Sequence, residues 1–125
     1  MKVLVVDDSK AMRSIIGRIL KDFDFEIIQA EHGLDALEKL RSMGRPDLVL
    51  VDWNMPQMDG LELVEAIRQV PFFDSVRIMM ITTESDIKQM AKALEAGADE
   101  YLLKPFDREA FLEKLILLGV EPVCL

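Results

Sequence analysis

The chain has 125 residues, half of them hydrophobic, which suffices for one domain (residues 1–125) with its own core and no disulfide or metal staple. A formal net charge of −8 argues against direct nucleic-acid binding, whose affinity comes largely from Lys and Arg neutralising phosphates; most of the acidity reads as a solvated surface. No apolar run approaches the ~20 residues that span a bilayer, Met1-Lys2 leads straight into the first apolar segment with no room for a signal peptide, and the lone Cys124 rules out an internal disulfide, so a cytoplasmic monomer is expected.

The first apolar run, Val3-Leu4-Val5-Val6, reads as a buried strand and ends on Asp7-Asp8. After Ser9 comes a helix with Met12, Ile15, Ile16, Ile19 and Leu20 on one face. The segment near Phe25–Ala30 mixes polar and apolar residues where a strand covered on both faces would be uniformly apolar, so it belongs at a sheet edge. His32 falls at the next turn and reads as a surface residue. The second helix spans about Gly33 to Met43, with Leu34, Leu37 and Leu40 inward and Gly44 at the position that favours a left-handed residue. Leu48-Val49-Leu50-Val51 is the third strand and ends on Asp52. Asp59 and Glu62 form a capping box for the third helix, whose core face is Leu63, Ala66 and Ile67, with Pro71 beyond its end. Ile78-Met79-Met80-Ile81 is the fourth strand and ends on Thr82. The fourth helix starts near Ser85-Asp86, buries Ile87, Ala91 and Leu94, and stops at Gly97. Tyr101-Leu102-Leu103 is the fifth strand and ends on Lys104-Pro105; the last helix starts near Asp107, uses Phe111, Leu112, Leu115 and Ile116, and stops at Gly119.

Five strand–helix units with right-handed crossovers and the second strand at the edge predict a flavodoxin-like, doubly wound (βα)5 α/β sandwich of three layers, its five parallel strands in the order 2-1-3-4-5. The carboxyl ends of such strands share one edge, where ligands bind. Asp7-Asp8 and Thr82 then lie one strand from Asp52, ~4.8 Å away, and Lys104 two strands away, roughly 10 Å. Lys104 alone has the side chain to cross that distance.

Each group has a bland alternative: Asp7-Asp8 as helix caps with Ser9, Asp52 as a turn residue, Thr82 as an ordinary strand residue, Lys104 as a solvated charge. All four on strand ends at once argue instead for one site. Carboxylates a few ångströms apart raise one another's pKa, and a hard divalent cation such as Mg²⁺, taking carboxylate, water and phosphate oxygens, relieves that repulsion. With the cation in place one carboxylate can attack phosphorus to form an acyl phosphate, and Asp52, at the centre of the edge, is the candidate nucleophile. There is no Ser/His/Asp or Cys/His set, and no glycine-rich phosphate loop.

These residues resemble the receiver domain of two-component response regulators from Lys2 to about Leu118. The likeness is carried by Val3–Ser9, by Val51-Asp52-Trp53-Asn54-Met55-Pro56 with Met58-Asp59-Gly60, by Ile81-Thr82-Thr83-Glu84, by Gly97-Ala98-Asp99 and by Tyr101–Phe106; within the family it is nearest to the stand-alone chemotaxis regulators. The resemblance implies that Asp52 accepts a phosphoryl group from a histidine kinase and that Mg²⁺ is held by the carboxylates of Asp8 and Asp52 and the backbone carbonyl of Asn54, with Asp7 on its waters. It implies that Lys104 pairs with the phosphoryl oxygens, that Thr82 swings in to bond one of them, that Tyr101 turns inward with Thr82, and that the Lys104–Pro105 peptide is cis. Asn54 and Glu84 would tune hydrolysis, giving a phosphoryl lifetime of seconds to minutes. The face of the fourth helix, fifth strand and fifth helix, with Lys88, Met90, Lys92, Leu94, Tyr101 and Lys114, would bind a downstream target protein, the flagellar motor in a chemotaxis setting; Met90 and Leu94 read equally as groove or as core.

Three other readings compete. Glu121-Pro122-Val123 would suit the start of a linker if this were the receiver of a larger regulator. A Mg²⁺-dependent phosphatase of the haloacid-dehalogenase kind would need an Asp where Asn54 stands and a cap domain that this length hardly allows. A flavodoxin-type nucleotide or flavin module lacks its phosphate loop here. The expectation is therefore a switch that catalyses only its own phosphoryl transfer and hydrolysis.

Overall fold

A computed structural model describes residues 1–121 and 123 of the chain. The elements are β1 (Lys2–Val6), α1 (Lys10–Lys21), β2 (Glu26–Ala30), α2 (Gly33–Met43), β3 (Leu48–Val51), α3 (Gly60–Arg68), β4 (Arg77–Thr82), α4 (Ile87–Ala96), β5 (Glu100–Leu103) and α5 (Arg108–Leu117), with a single 3₁₀ turn at Pro71–Phe73. The strands form one parallel sheet in the order β2-β1-β3-β4-β5, as the sequence predicts, with β2 at an edge. Cys124 and Pro122 lie outside the described residues.

Side chains alternate across a strand, so the continuous apolar runs cover both faces of the sheet. Leu4, Val6, Val49, Val51, Ile78 and Met80 pack under α2, α3 and α4. Val3, Val5, Leu48, Leu50, Met79 and Ile81 pack under α1 and α5, where Phe111, Leu115, Ile16 and Leu20 complete the second core. This gives the three layers. The register holds the carboxyl ends level: Val6 pairs with Val51, Val51 with Met80, and Thr82 with Leu103.

The helix boundaries follow local chemistry. Ser9, Asp59, Asp86 and Asp107 cap four helices with side-chain oxygens, and the Asp59–Glu62 capping box is present. Gly44 and Gly97 end α2 and α4, both with positive φ. At Gly97 (φ 123°) a side chain would also meet the Arg68 stem, so only glycine fits.

The inward faces of the helices differ from expectation in detail. On α4, Ile87, Ala91 and Leu94 are exposed, Ile87 at 81%, whereas Ala93 is fully buried with Met90 and Ala96 half-buried beside it. The helix meets the core through Ala93, Met90 and Ala96, and its larger aliphatic residues are turned about 100° away. Met90 is thus partly core, whereas Leu94 belongs to the surface. Ile15, Leu34 and Ile116 are likewise exposed, and Ala66 is half-buried while its neighbour Val64 is fully buried. His32 is half-buried and is the N-cap of α2, its Nδ1 accepting from the Asp35 N–H at 3.1 Å. An imidazole nitrogen serves there as an oxygen would, which the helix-start rules for Ser, Thr, Asp and Asn do not anticipate.

Candidate functional site

Asp7, Asp8, Asp52, Thr82 and Lys104 converge at the carboxyl end of the sheet, each supplied by a different strand end except the adjacent pair Asp7-Asp8. Asp7 is buried and held at every polar atom. Its N–H donates to the Ala30 carbonyl at 3.1 Å, its Oδ1 accepts from the Ser9 N–H at 2.8 Å, its Oδ2 accepts from the Lys104 ammonium at 2.9 Å, and its carbonyl accepts from the Arg13 guanidinium. Asp8, next along the turn, is exposed to solvent. The Asp52 N–H donates to the Val6 carbonyl at 3.0 Å, tying β3 to β1 just beyond their last paired residues.

Asp52 is 8% exposed. Its Oδ1 accepts from the Trp53 N–H at 2.8 Å, and its Oδ2 lies 3.4 Å from Lys104 Nζ. Burial pushes its pKa above the ordinary carboxylate value and the Asp7 charge adds to that; Lys104, the Thr82 hydroxyl and the Trp53 N–H pull it back down. Lys104 comes from β5, two strands from Asp52, and its ammonium bridges Asp7 and Asp52. The Lys104 N–H donates to the Thr82 carbonyl at 2.9 Å, and the Lys104–Pro105 peptide is cis.

Thr82 is fully buried and its Oγ1 accepts from the Glu84 N–H at 3.3 Å. The Glu84 carbonyl in turn accepts from the Tyr101 hydroxyl at 2.7 Å. One residue of the β4–α4 loop therefore joins Thr82 to Tyr101. Tyr101 is turned inward, and burial, with the charges of Glu84 and Asp52, pushes its pKa up to about 12, so the phenol stays protonated and donates. On the outer side of β5, Lys88 and Lys92 are exposed on α4, Lys114 pairs with Glu100 at 3.0 Å, and a groove is lined by Met90, Tyr101, Leu103, Phe106 and Lys114.

The β3–α3 loop carries Asn54, exposed beside Asp52, and returns so tightly that Gly60 packs directly on the Asp52 carbonyl, where a Cβ would clash. Its tip is a three-residue turn in which the Met58 N–H donates to the Pro56 carbonyl at 2.8 Å, leaving Gln57 at φ 69°. A left-handed residue with a Cβ is strained by ~1–2 kcal/mol, and glycine's greater unfolded-state freedom offsets about half of that. Gln57→Gly is expected to stabilise the fold by about 0.5 kcal/mol, measured as a higher urea midpoint with unchanged slope.

Asp7, Asp8 and Asp52 each present a carboxylate oxygen within 4.8 Å of the others, a set that could hold a metal ion. Among the described residues Lys104 offsets two of the three carboxylates and leaves Asp8 without a cation, and all the donors are hard oxygens, which fits Mg²⁺ and does not suit a thiolate- or imidazole-seeking metal. Two residues that matter here were not picked out in the sequence. Arg13 lies beneath the Asp7 turn, and Arg68 ties α3 to the loops at the opposite pole. Both sit in amphipathic helices where arginine reads as a solvated charge.

The family model described as "Response regulator receiver domain" matches residues 3–116. The chemotaxis protein CheY1 of Helicobacter pylori (strain ATCC 700392 / 26695) is 44% identical over 121 residues, covering 95% of this chain and 98% of that protein. The chemotaxis protein CheY homolog of Campylobacter jejuni serotype O:23/36 is 40% identical over 116 residues, covering 92% and 89%. Among solved structures, chemotaxis protein CheY4 of Vibrio cholerae superposes with a TM-score of 0.87 at 35% identity, over 94% of this chain and 97% of that one.

Proposed function

The chain belongs to the response-regulator receiver family, and we propose that it serves there as a phosphorylation-activated signalling switch of the chemotaxis type. Residues 1–125 are read as one receiver domain. The phosphodonor is the phosphohistidine of a histidine kinase. A carboxylate oxygen of Asp52 attacks phosphorus, the P–N bond breaks, and its electron pair leaves with the imidazole nitrogen; the product is an acyl phosphate on Asp52.

The observation that carries this reading is Asp52 itself: a buried carboxylate at the centre of the strand-end edge, flanked by a second carboxylate and faced by an ammonium from two strands away. Mg²⁺, held by the carboxylates of Asp8 and Asp52 and the backbone carbonyl of Asn54, with Asp7 on its waters, supplies positive charge to the phosphoryl oxygens when bound. Lys104 meets the same oxygens from the β5 side and leaves its bond to Asp52 to do so. Thr82 donates its hydroxyl to one of them. Because Glu84 links Thr82 to Tyr101, that movement reaches the α4–β5–α5 face. A phosphoryl group adds ~1.5–2 negative charges at neutral pH and biases this two-state element only by its unequal affinity for the two arrangements. The face around Lys88, Met90, Lys92, Leu94 and Lys114 then binds a downstream target, with the flagellar motor as the candidate. The protein acts as a cytoplasmic monomer; among the described residues no helix is long and apolar enough to cross a membrane.

Asn54 and Glu84 border the phosphoryl position and set how water reaches it. The phosphorylated protein with Mg²⁺ is expected to decay within seconds to minutes, followed by the fluorescence of Trp53, whose ring is buried next to Asp52. A half-life of hours would contradict the assignment of these two positions.

A further inference from the structure

Arg13 is 8% exposed, at the end of the first turn of α1, and among the described residues no carboxylate lies within ion-pairing distance of it. Burying a guanidinium is expensive unless its donors are used. A methionine would fill the same space without that expense, so the donors identify what the charge is for. One Nη donates to the Asp7 main-chain carbonyl, and Nε donates to the Gln29 side-chain carbonyl on β2 at 3.1 Å. The first bond fixes the peptide that joins Asp7 to Asp8. The other ties on Asp7, to Ala30, Ser9 and Lys104, fix its N–H and its carboxylate and leave that peptide free to turn.

We propose that Arg13 is a positioning residue for divalent-cation binding: by holding the Asp7 carbonyl it aims the exposed Asp8 carboxylate at the same point as Asp52. This rests on the reading of the strand-end cluster as a Mg²⁺ site. Arg13 bonds the Asp7 carbonyl and the Gln29 side chain and no atom of Asp8 or Asp52, so its action is on the geometry of the turn. Side chains that orient metal ligands from behind typically carry 10- to 100-fold in metal affinity.

The test is Mg²⁺ titration of the full chain by calorimetry, in the unmodified protein and in Arg13→Met, Arg13→Gln and Arg13→Lys, with the thermal midpoint and the Ser9 amide resonance recorded in metal-free protein. The dissociation constant is expected to rise ~10-fold in Arg13→Met and to stay within about threefold in Arg13→Lys, which keeps a donor that reaches the carbonyl. The Ser9 amide, bonded to Asp7 Oδ1, should shift in Arg13→Met and not in Arg13→Lys. Phosphorylation of Arg13→Met should recover at saturating Mg²⁺. A purely structural arginine would lower the thermal midpoint and leave the dissociation constant of the folded protein unchanged, and that result overturns the proposal. Arg13→Gln, too short to reach the carbonyl, is expected to match Arg13→Met and decides the matter if that variant does not fold. No Mg²⁺ binding by the unmodified protein would instead overturn the reading of the cluster itself.

Discussion

Asp52→Asn is expected to abolish phosphoryl uptake and, in metal-free buffer at neutral pH, to make the fold more stable than the unmodified protein. The first effect follows from chemistry, because an amide oxygen is no nucleophile at phosphorus under these conditions. The second follows from the direction of the Asp52 pKa. Burial raises it above the unfolded value, so at pH above both values the folded state carries a charge it would favour protonating. The ionised group therefore opposes folding at neutral pH, and the opposition fades as pH falls from the raised folded value to the ordinary carboxylate value. Asparagine removes that charge while Lys104 keeps its 2.9 Å bond to Asp7. A gain of ~1 kcal/mol is of the size usual when a functional group with a stability penalty is removed. The gain should vanish in acid, where Asp52 is protonated, and shrink as Mg²⁺ is added, because binding stabilises the unmodified protein more. Urea denaturation at two pH values, with and without Mg²⁺, reads all of this. An Asn variant less stable than the parent in metal-free neutral buffer would contradict it.

Arg68→Ala should have the largest effect on stability. The guanidinium donates to the carbonyls of Gly97 and Phe73 at 3.0 Å each, to that of Val76 at 2.8 Å, and to the Asp99 carboxylate at 3.0 Å. One side chain therefore ties the end of α3 to the 3₁₀ turn, the start of β4 and the end of α4. Asp99 Oδ2 also accepts from the Ile78 N–H, so the loss reaches the first residues of β4. Several partly buried acceptors would lose their donor at once. With ~1–3 kcal/mol for each truly buried one, discounted for partial exposure, a total of about 3 kcal/mol is expected, or roughly 10 °C in thermal midpoint for a domain of this size. Lysine, which lacks the planar fork, should restore less than half. Arg68 binds the start of β4, at the opposite pole from Asp52, so phosphorylation below the melting temperature should survive the change. A variant with the parent's midpoint would show that the network carries no net stability.

The topology was legible because four apolar runs are uniform and the fifth is mixed. That contrast placed β2 at the edge, and the edge position together with five right-handed strand–helix units pointed to the strand order. The convergence of the candidate site residues was legible for the same reason: Asp7, Asp52, Thr82 and Lys104 each stand where a run ends, and parallel strands bring those ends together. Helix faces were less legible. On α4 the sequence offers Ile87, Ala91 and Leu94 as one stripe and Met90, Ala93 and Ala96 as another, and hydrophobicity favours the first. Packing chose the second: Ala93 is fully buried, and Met90 and Ala96 pack against the same core. Arg13 and Arg68 were invisible for a related reason. Their partners are mainly backbone carbonyls, which leave no trace in composition or spacing.

On the proposed function, Asp52 carries a phosphoryl group with help from a divalent cation. The most direct test is the intact mass of the protein after incubation with a small phosphodonor, with Mg²⁺ and with chelator, followed by mapping of the modified peptide. The expected result is a gain of one phosphoryl group per chain, dependent on Mg²⁺ and located on the peptide that contains Asp52. No gain, or a gain at another residue, would contradict the account.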